Sequence, residues 1–591
     1  MRSSTYIAAA LLARAHQSGA TELDAGFDLL VETLLTKYNI PGLSVAVVRD
    51  GETTSKGYGY ARLPDFRATP DTLWFTGSTT KAFVATAAGM IVQNDSVPDF
   101  KWSSRLNDLL PSDFVLSEDY QTRHTTLEDA LSHRSGLPRH DASYGWGNET
   151  PIDIVRRLRY LPITREPRTR FQYCNIMYAT VGALLERHTG LKLEEVLQNW
   201  IWKPLGMTST TFSVQQSIGS GELAVGYYWD EEGETYVPEP YYDLLPIAGA
   251  GATISSVNDY SLWIKALLQS AKKLDHDASP LTSELLQALW TPRTIVDLLV
   301  SVDPGRVASS INYALGWMVF KVDKYTVIAH SGGLPGFGTQ LMLVPALNFG
   351  FTCMGNNVAQ VSPVGAMLFQ SLLRGKEDDV EVEEISEFHT SLKQLPPLFG
   401  RPLQPVSGYK SASAHRGGID LPLPGDIEDY LGLYFHPAYG PFNVSLAEHS
   451  HTIPLVNTRK SQSPLKRQPS TPQLLATPTD RVFAVSMALT HSSNTFFDGD
   501  GYWIHGPTPG NDQVTCGNAQ PSAGISRGNR NLQCKDEAVW QKAGPGRAVF
   551  EYGPNGQIAS LGIEIEDEQI LAAEESGKWR DGMIWFTKVQ E

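Results

Sequence analysis

The chain alternates between stretches whose apolar residues recur every three or four positions and stretches where they alternate or run together. "LDAGFDLLVETLLTKYNIPG" (23–42) has helical spacing and stops at Pro41-Gly42, which predicts a helix ending there. "LSVAVVRDGETTSKGYGYA" (43–61) reads as two β-runs around Asp50-Gly51, a pair suited to a tight hairpin. After Ser78, the residues Ala82, Phe83, Val84, Ala85, Ala87, Ala88, Met90, Ile91 and Val92 leave no polar face, so this helix is expected to be buried all round. "LEDALSHRSGL" and "MYATVGALLERHTG" add helical stretches, and "YTVIAHSGGLPGFGTQLMLVP" and "FGFTCMGNN" are β-runs. Strands at both ends with helices between them predict an α+β fold. Its antiparallel sheet joins the terminal strands, carries helices on both sides and has an inserted helical lobe.

From Lys376 the pattern changes. "KEDDVEVEEISE" carries seven acidic residues, and Pro-, Gly- and Ser-containing sequence follows to about Gly425, as in a linker. Beyond Tyr430 come short β-runs separated by turns: "GLYFHPAYGPFNVSL", "RVFAVSMAL", "NTFFDGDGYWIHG", "GRAVFEYGPNGQIASLGIEI" and "GMIWFTKV". These predict an all-β barrel or sandwich, with "VNTRKSQSPLKRQPSTPQLLATPTD" as a long loop inside it. The expected organisation is an N-terminal extension (1–21), an α+β domain (22–375), a linker (376–425) and a β domain (426–591).

A length of 591 residues agrees with more than one domain. A net charge of −16 argues against nucleic acid and anionic membrane surfaces as partners. No apolar stretch reaches the roughly 20 residues a membrane span needs. The start "MRSSTYIAAALLARAHQ" reads equally as a weak secretory signal or as a plain extension, which leaves secreted and cytoplasmic locations both open. Of four cysteines, Cys174 and Cys353 sit in apolar surroundings and are expected to be buried thiols, whereas Cys516 and Cys534 flank a loop and pair only in an oxidising compartment. There is no CxxC and no His/Cys cluster with zinc spacing, so neither a metal nor another cofactor is expected.

Candidate chemistry begins at Ser78-Thr79-Thr80-Lys81. A serine before an apolar run is commonly just a helix cap, and S-x-x-K recurs at Ser270, Ser407 and Ser463. What distinguishes Ser78 is the buried helix behind it. One helical turn brings the two side chains together, and a lysine in an apolar site loses its proton more readily and can activate a serine. Tyr173-Cys174-Asn175 opens another helix. A tyrosine beside a cationic lysine is a candidate base, and an asparagine can hold a substrate amide. His330-Ser331-Gly332-Gly333 lies in a β-run, where glycine lets a ligand approach the backbone. Each of these is weak alone.

Together and in this order, Ser-x-x-Lys, Tyr-x-Asn and His-x-Gly resemble the serine β-lactamase and penicillin-binding protein superfamily, in its class C-like branch. "IPGLSVAVVRDG", "LSHRSGLP" and "AGAGATISSVNDYSLW" are similar to that family as well. The resemblance covers about Glu22 to Gly375. It implies Ser78 as nucleophile forming an acyl-enzyme, Lys81 and Tyr173 sharing the general base and acid work, and Asn175 orienting the substrate. It also implies backbone N–H groups of Ser78 and Gly333 as the oxyanion hole. His330 stands where class C β-lactamases usually carry lysine, whereas D-peptidases, D-aminopeptidases and some esterases of the superfamily carry histidine. The implied activity is a serine hydrolase of a small amide, short peptide or ester. The alternatives are an acyltransferase, a true β-lactamase or a non-catalytic scaffold. A lysine at position 330 would be expected to favour carboxylate-bearing β-lactams. The C-terminal part resembles the lipocalin-like barrel of D-aminopeptidase-type relatives, which binds a ligand or presses a loop over the site.

Overall fold

A computed structural model describes residues 23–145, 149–272, 280–299, 310–374, 421–446, 473–478, 485–505, 539–565 and 567–589. The N-terminal extension, nearly all of the linker, and Cys516 with Cys534 lie outside the described residues.

The central feature is a nine-stranded antiparallel sheet. In spatial order its strands are Phe66–Arg67, Glu52–Arg62, Gly42–Arg49, Phe349–Gly355, Phe337–Val344, Tyr325–Leu334, Met318–Val322, Ser310–Tyr313 and Thr294–Leu299. The predicted hairpin is present, with Asp50 and Gly51 both at positive φ (52° and 88°), as the tightest hairpin turns require. The first and last strands of this part meet as expected: Leu43 lies opposite Gly355 and Arg49 opposite Phe349.

Successive side chains of Gly42–Arg49 point to opposite faces, and both faces are buried. Leu43, Val45 and Val47 pack against the helices Ala25–Lys37 and Val358–Arg374, whereas Ala46 and Val48 join the larger core on the other face. Helices therefore cover both sides of the sheet. That larger core includes the lobe inserted between Phe66–Arg67 and Thr294–Leu299, with the helices Thr80–Val92 and Asn175–Thr189 at its centre. Eleven residues of Thr80–Val92 are buried, and only Met90 and Val92 reach partly to the surface.

The C-terminal part is a closed barrel of eight strands from Gly432–His436 to Ile584–Lys588, each paired antiparallel with the next and the last with the first. One reading needs correction: Gln473–Pro478, inside the stretch expected to be a long loop, is a strand paired on both sides. "QLLATP" is short and flanked by prolines and serines, so its β-signal is masked by its neighbours. A helix at Asp567–Ser576 was also not expected. Among the described residues no helix is long and apolar enough to cross a membrane.

Candidate active site

Ser78 lies on a short 3-10 turn, Gly77–Thr79, that feeds directly into the buried helix Thr80–Val92. The turn is pressed against the strand Tyr325–Leu334, and two glycines make the approach possible. A methyl group on Gly332 would sit 1.8 Å from the Thr76 carbonyl oxygen, and one on Gly77 (φ +53°) would sit 2.6 Å from the Gly333 nitrogen. The backbones of residues 77–78 and 332–333 are thereby brought together, as an oxyanion-binding pair requires.

Lys81 is wholly buried one turn after Ser78. Its Nζ is 2.9 Å from Ser78 Oγ, 2.8 Å from Asn175 Oδ1 and 2.7 Å from the Ala250 carbonyl oxygen. Burial, and then the Arg139 charge, hold its pKa well below the ordinary lysine value. The partner set suits an uncharged amine. Two N–H bonds serve the two carbonyl oxygens, which can only accept, and the lone pair is left for the one neighbour able to donate, the Ser78 hydroxyl.

Tyr173 is buried just before the helix Asn175–Thr189, with Lys81 Nζ 4.9 Å from its ring centre. Burial and neighbouring Tyr313 push its hydroxyl pKa well above 10, although a hydrogen bond with Ser78 pulls the other way. The direction differs from the expectation that Tyr173 gives up its proton easily. With Lys81 uncharged, the nearby cation on which that expectation rested is gone. Asn175 donates from Nδ2 to Asp141 Oδ1 (3.0 Å), and because a carboxylate only accepts, this fixes the amide with Oδ1 toward Lys81.

His330 is fully buried. Its Nδ1 is 2.6 Å from the Ser331 carbonyl oxygen, so that nitrogen carries the proton, and Nε2 accepts from the Tyr313 hydroxyl at 2.9 Å. Burial above all lowers its pKa to about 3. Both ring nitrogens are engaged within the protein, which is a finding the sequence did not anticipate for a substrate-facing position. Cys174 is buried in the core, as expected of a packing residue.

Sequence reasoning passed over several participants. His133 (φ +54°) brackets the tyrosine: its carbonyl accepts from Gln172 N–H at 2.8 Å and its Nδ1 from Cys174 N–H at 3.0 Å. Its ring centre is 4.1 Å from that of Tyr173. Asp141, Tyr313 and the Ala250 carbonyl were missed too. His133 and Ala250 fall in "LSHRSGLP" and "AGAGATISSVNDYSLW", so those stretches held the available signal. Among the described residues no cluster of His, Cys, Asp or Glu is arranged to hold a metal ion.

Known proteins resemble this chain in sequence and in fold. The beta-lactamase family profile matches residues 27–368. An unguisins hydrolase of Aspergillus campestris is 35% identical over 75% of this chain and 81% of its own length. An unguisins hydrolase of Aspergillus violaceofuscus is 32% identical over 73% of this chain and 78% of its own. In fold, the chain is similar over 92% of its length to 99% of the octameric penicillin-binding protein homologue from Pyrococcus abyssi, with a TM-score of 0.53 and 18% identity.

Proposed function

Because the chain belongs to the beta-lactamase family, we propose that it is a serine hydrolase acting through an acyl-enzyme on Ser78, with an amide, short-peptide or ester substrate. The observation that carries this reading is the Lys81 amine, wholly buried and 2.9 Å from Ser78 Oγ, with carbonyl acceptors for both of its N–H bonds. Uncharged Lys81 takes the Ser78 proton as Oγ attacks the substrate carbonyl carbon. The resulting oxyanion is held by the backbone N–H groups of Ser78 and Gly333, each such donor contributing about 3 kcal/mol in hydrolases. Collapse breaks the bond to the leaving group, which takes a proton from the Tyr173 hydroxyl; the Lys81 ammonium then returns its proton to Tyr173 and is uncharged again. Water then attacks the acyl carbon as Lys81 takes its proton, and that proton passes to Ser78 Oγ as the Oγ–acyl bond breaks and the acid product leaves. In this reading the site belongs to 22–375, and the linker 376–425 connects it to the barrel unit 426–591.

Family membership does not name the reaction, and the engaged, uncharged His330 offers no fixed cation to a β-lactam carboxylate. The Aspergillus relatives' name makes unguisins the first compounds to test. The test is hydrolysis of unguisins, D-amino-acid amides, p-nitrophenyl esters and nitrocefin by the full chain and by Ser78→Ala. Turnover of an amide or ester that disappears in Ser78→Ala supports the reading. Equal turnover by both proteins would overturn it.

A further inference from the structure

Among the described residues, aromatic rings of the barrel unit pack on one another. Tyr430 packs on Phe550 and Phe497 (centroids 5.0 and 5.9 Å), and Phe442 packs on Phe586 at 4.8 Å across an intervening strand. One rim turn, His436–Gly440, joins the first two barrel strands. It is braced from within, because His436 Nδ1 accepts from the N–H groups of Ala438 and Tyr439, both at 3.1 Å. The turn projects Tyr439, which is wholly buried in the same apolar cluster as the helical lobe.

The Tyr439 hydroxyl lies 2.6 Å from Nδ1 of buried His140. The other ring nitrogen, Nε2, is 2.8 Å from the Pro162 carbonyl oxygen, which can only accept. The proton of His140 is thus on Nε2, Nδ1 is an acceptor, and Tyr439 donates. His140 holds a left-handed backbone (φ +49°) that turns the chain into Asp141. Asp141 Oδ1 accepts from the Tyr144 hydroxyl (2.7 Å) and from Asn175 Nδ2 (3.0 Å), while Oδ2 accepts from Arg139 (2.9 Å). Asn175 then presents Oδ1 to Lys81.

We infer that Tyr439 is a positioning residue of the active site: through His140 and Asp141 the barrel sets the Asn175 amide that orients the Lys81 amine. The barrel is on this account a working part of the catalytic unit rather than an appended module. The inference rests on the reading of Ser78 and Lys81 given above. Tyr439→Phe keeps the ring and removes only the donor.

The test compares kcat and KM for a p-nitrophenyl ester in the full chain, together with the rate of fluorophosphonate labelling. The expected result is a kcat about tenfold lower or more, with KM changed little, since small misplacements of reacting groups carry penalties of that order. Leu433→Ala, on the barrel's exposed face, serves as a control and leaves kcat unchanged. Asp141→Asn alone lowers kcat, and adding Tyr439→Phe to it lowers kcat little further, because both act on one path. A Tyr439→Phe protein with wild-type kcat, or losses that multiply in the double variant, would overturn the inference. If Tyr439→Phe does not fold, His140 tests the link from the other side. His140→Asn keeps an acceptor near the Nδ1 position and tolerates positive φ, so it retains kcat, whereas His140→Ala loses it; equal kcat in these two would overturn the inference. A wild-type chain that fluorophosphonate does not label at Ser78 would instead sink the proposed function itself.

Discussion

Replacing Lys81 by methionine tests whether the folded protein keeps this lysine uncharged. Methionine has similar length and no charge, and suits a wholly buried position against the Tyr173 ring. Burial and Arg139 hold the folded-state pKa well below the ordinary 10.5. Between the folded-state pKa and 10.5 the unfolded chain therefore binds one more proton than the folded one. Across that window wild-type stability gains about 1.4 kcal/mol per pH unit from this group. At pH 7 an uncharged Lys81 costs the fold about 5 kcal/mol, the free energy of deprotonating an ordinary lysine there. The methionine variant escapes that cost. It leaves the carbonyls of Asn175 and Ala250 without their donor, a loss of about 1–3 kcal/mol each. The variant should thus be inactive, yet as stable as wild type or a few kcal/mol more stable at pH 7. Between pH 7 and pH 9 the difference should move against the variant by about 3 kcal/mol. Urea denaturation of both proteins at both pH values measures it. A difference that does not change with pH would mean that Lys81 is charged in the folded state, and its assignment as base would fall.

Two further substitutions probe the strand beside Ser78. His330→Lys buries an ammonium beside the Lys81 amine and takes the acceptor from Tyr313, so it should lower kcat/KM for nitrocefin and for an uncharged ester alike and lower the melting temperature. A gain on nitrocefin would restore the expectation that this side chain faces substrate. Gly332→Ala forces the strand away from the Thr76 carbonyl, and stopped-flow acylation should slow by about a hundredfold; a rate within threefold of wild type would refute the close backbone approach.

The residues most legible in the sequence are those whose meaning is local. Ser78 and Lys81 are one helical turn apart, and the apolar residues that follow announce the burial that makes the pair unusual. The sheet's terminal strands were readable from their nearly continuous apolar runs, because a strand covered on both faces has little polar alternation. Asp141 was not readable, since its partner Asn175 is 34 positions away and nothing in its neighbourhood marks it. The Ala250 carbonyl is a backbone acceptor, and 169 positions separate it from Lys81. Which of Lys81 and Tyr173 gives up its proton was left open for a related reason. Whether Lys81 or Tyr173 loses its proton depends on total burial, which only the assembled core supplies. The strand Gln473–Pro478 was hidden because cross-strand pairing, rather than its own composition, makes it a strand.

The central claim is that Ser78 is the nucleophile. It is tested most directly by treating the full chain with a fluorophosphonate, weighing the intact protein and mapping the adduct by tandem mass spectrometry. The account predicts one added phosphonyl group, carried on Ser78, and none on a folded Ser78→Ala protein. An adduct that persists in Ser78→Ala, or one that maps to Cys174, would contradict it.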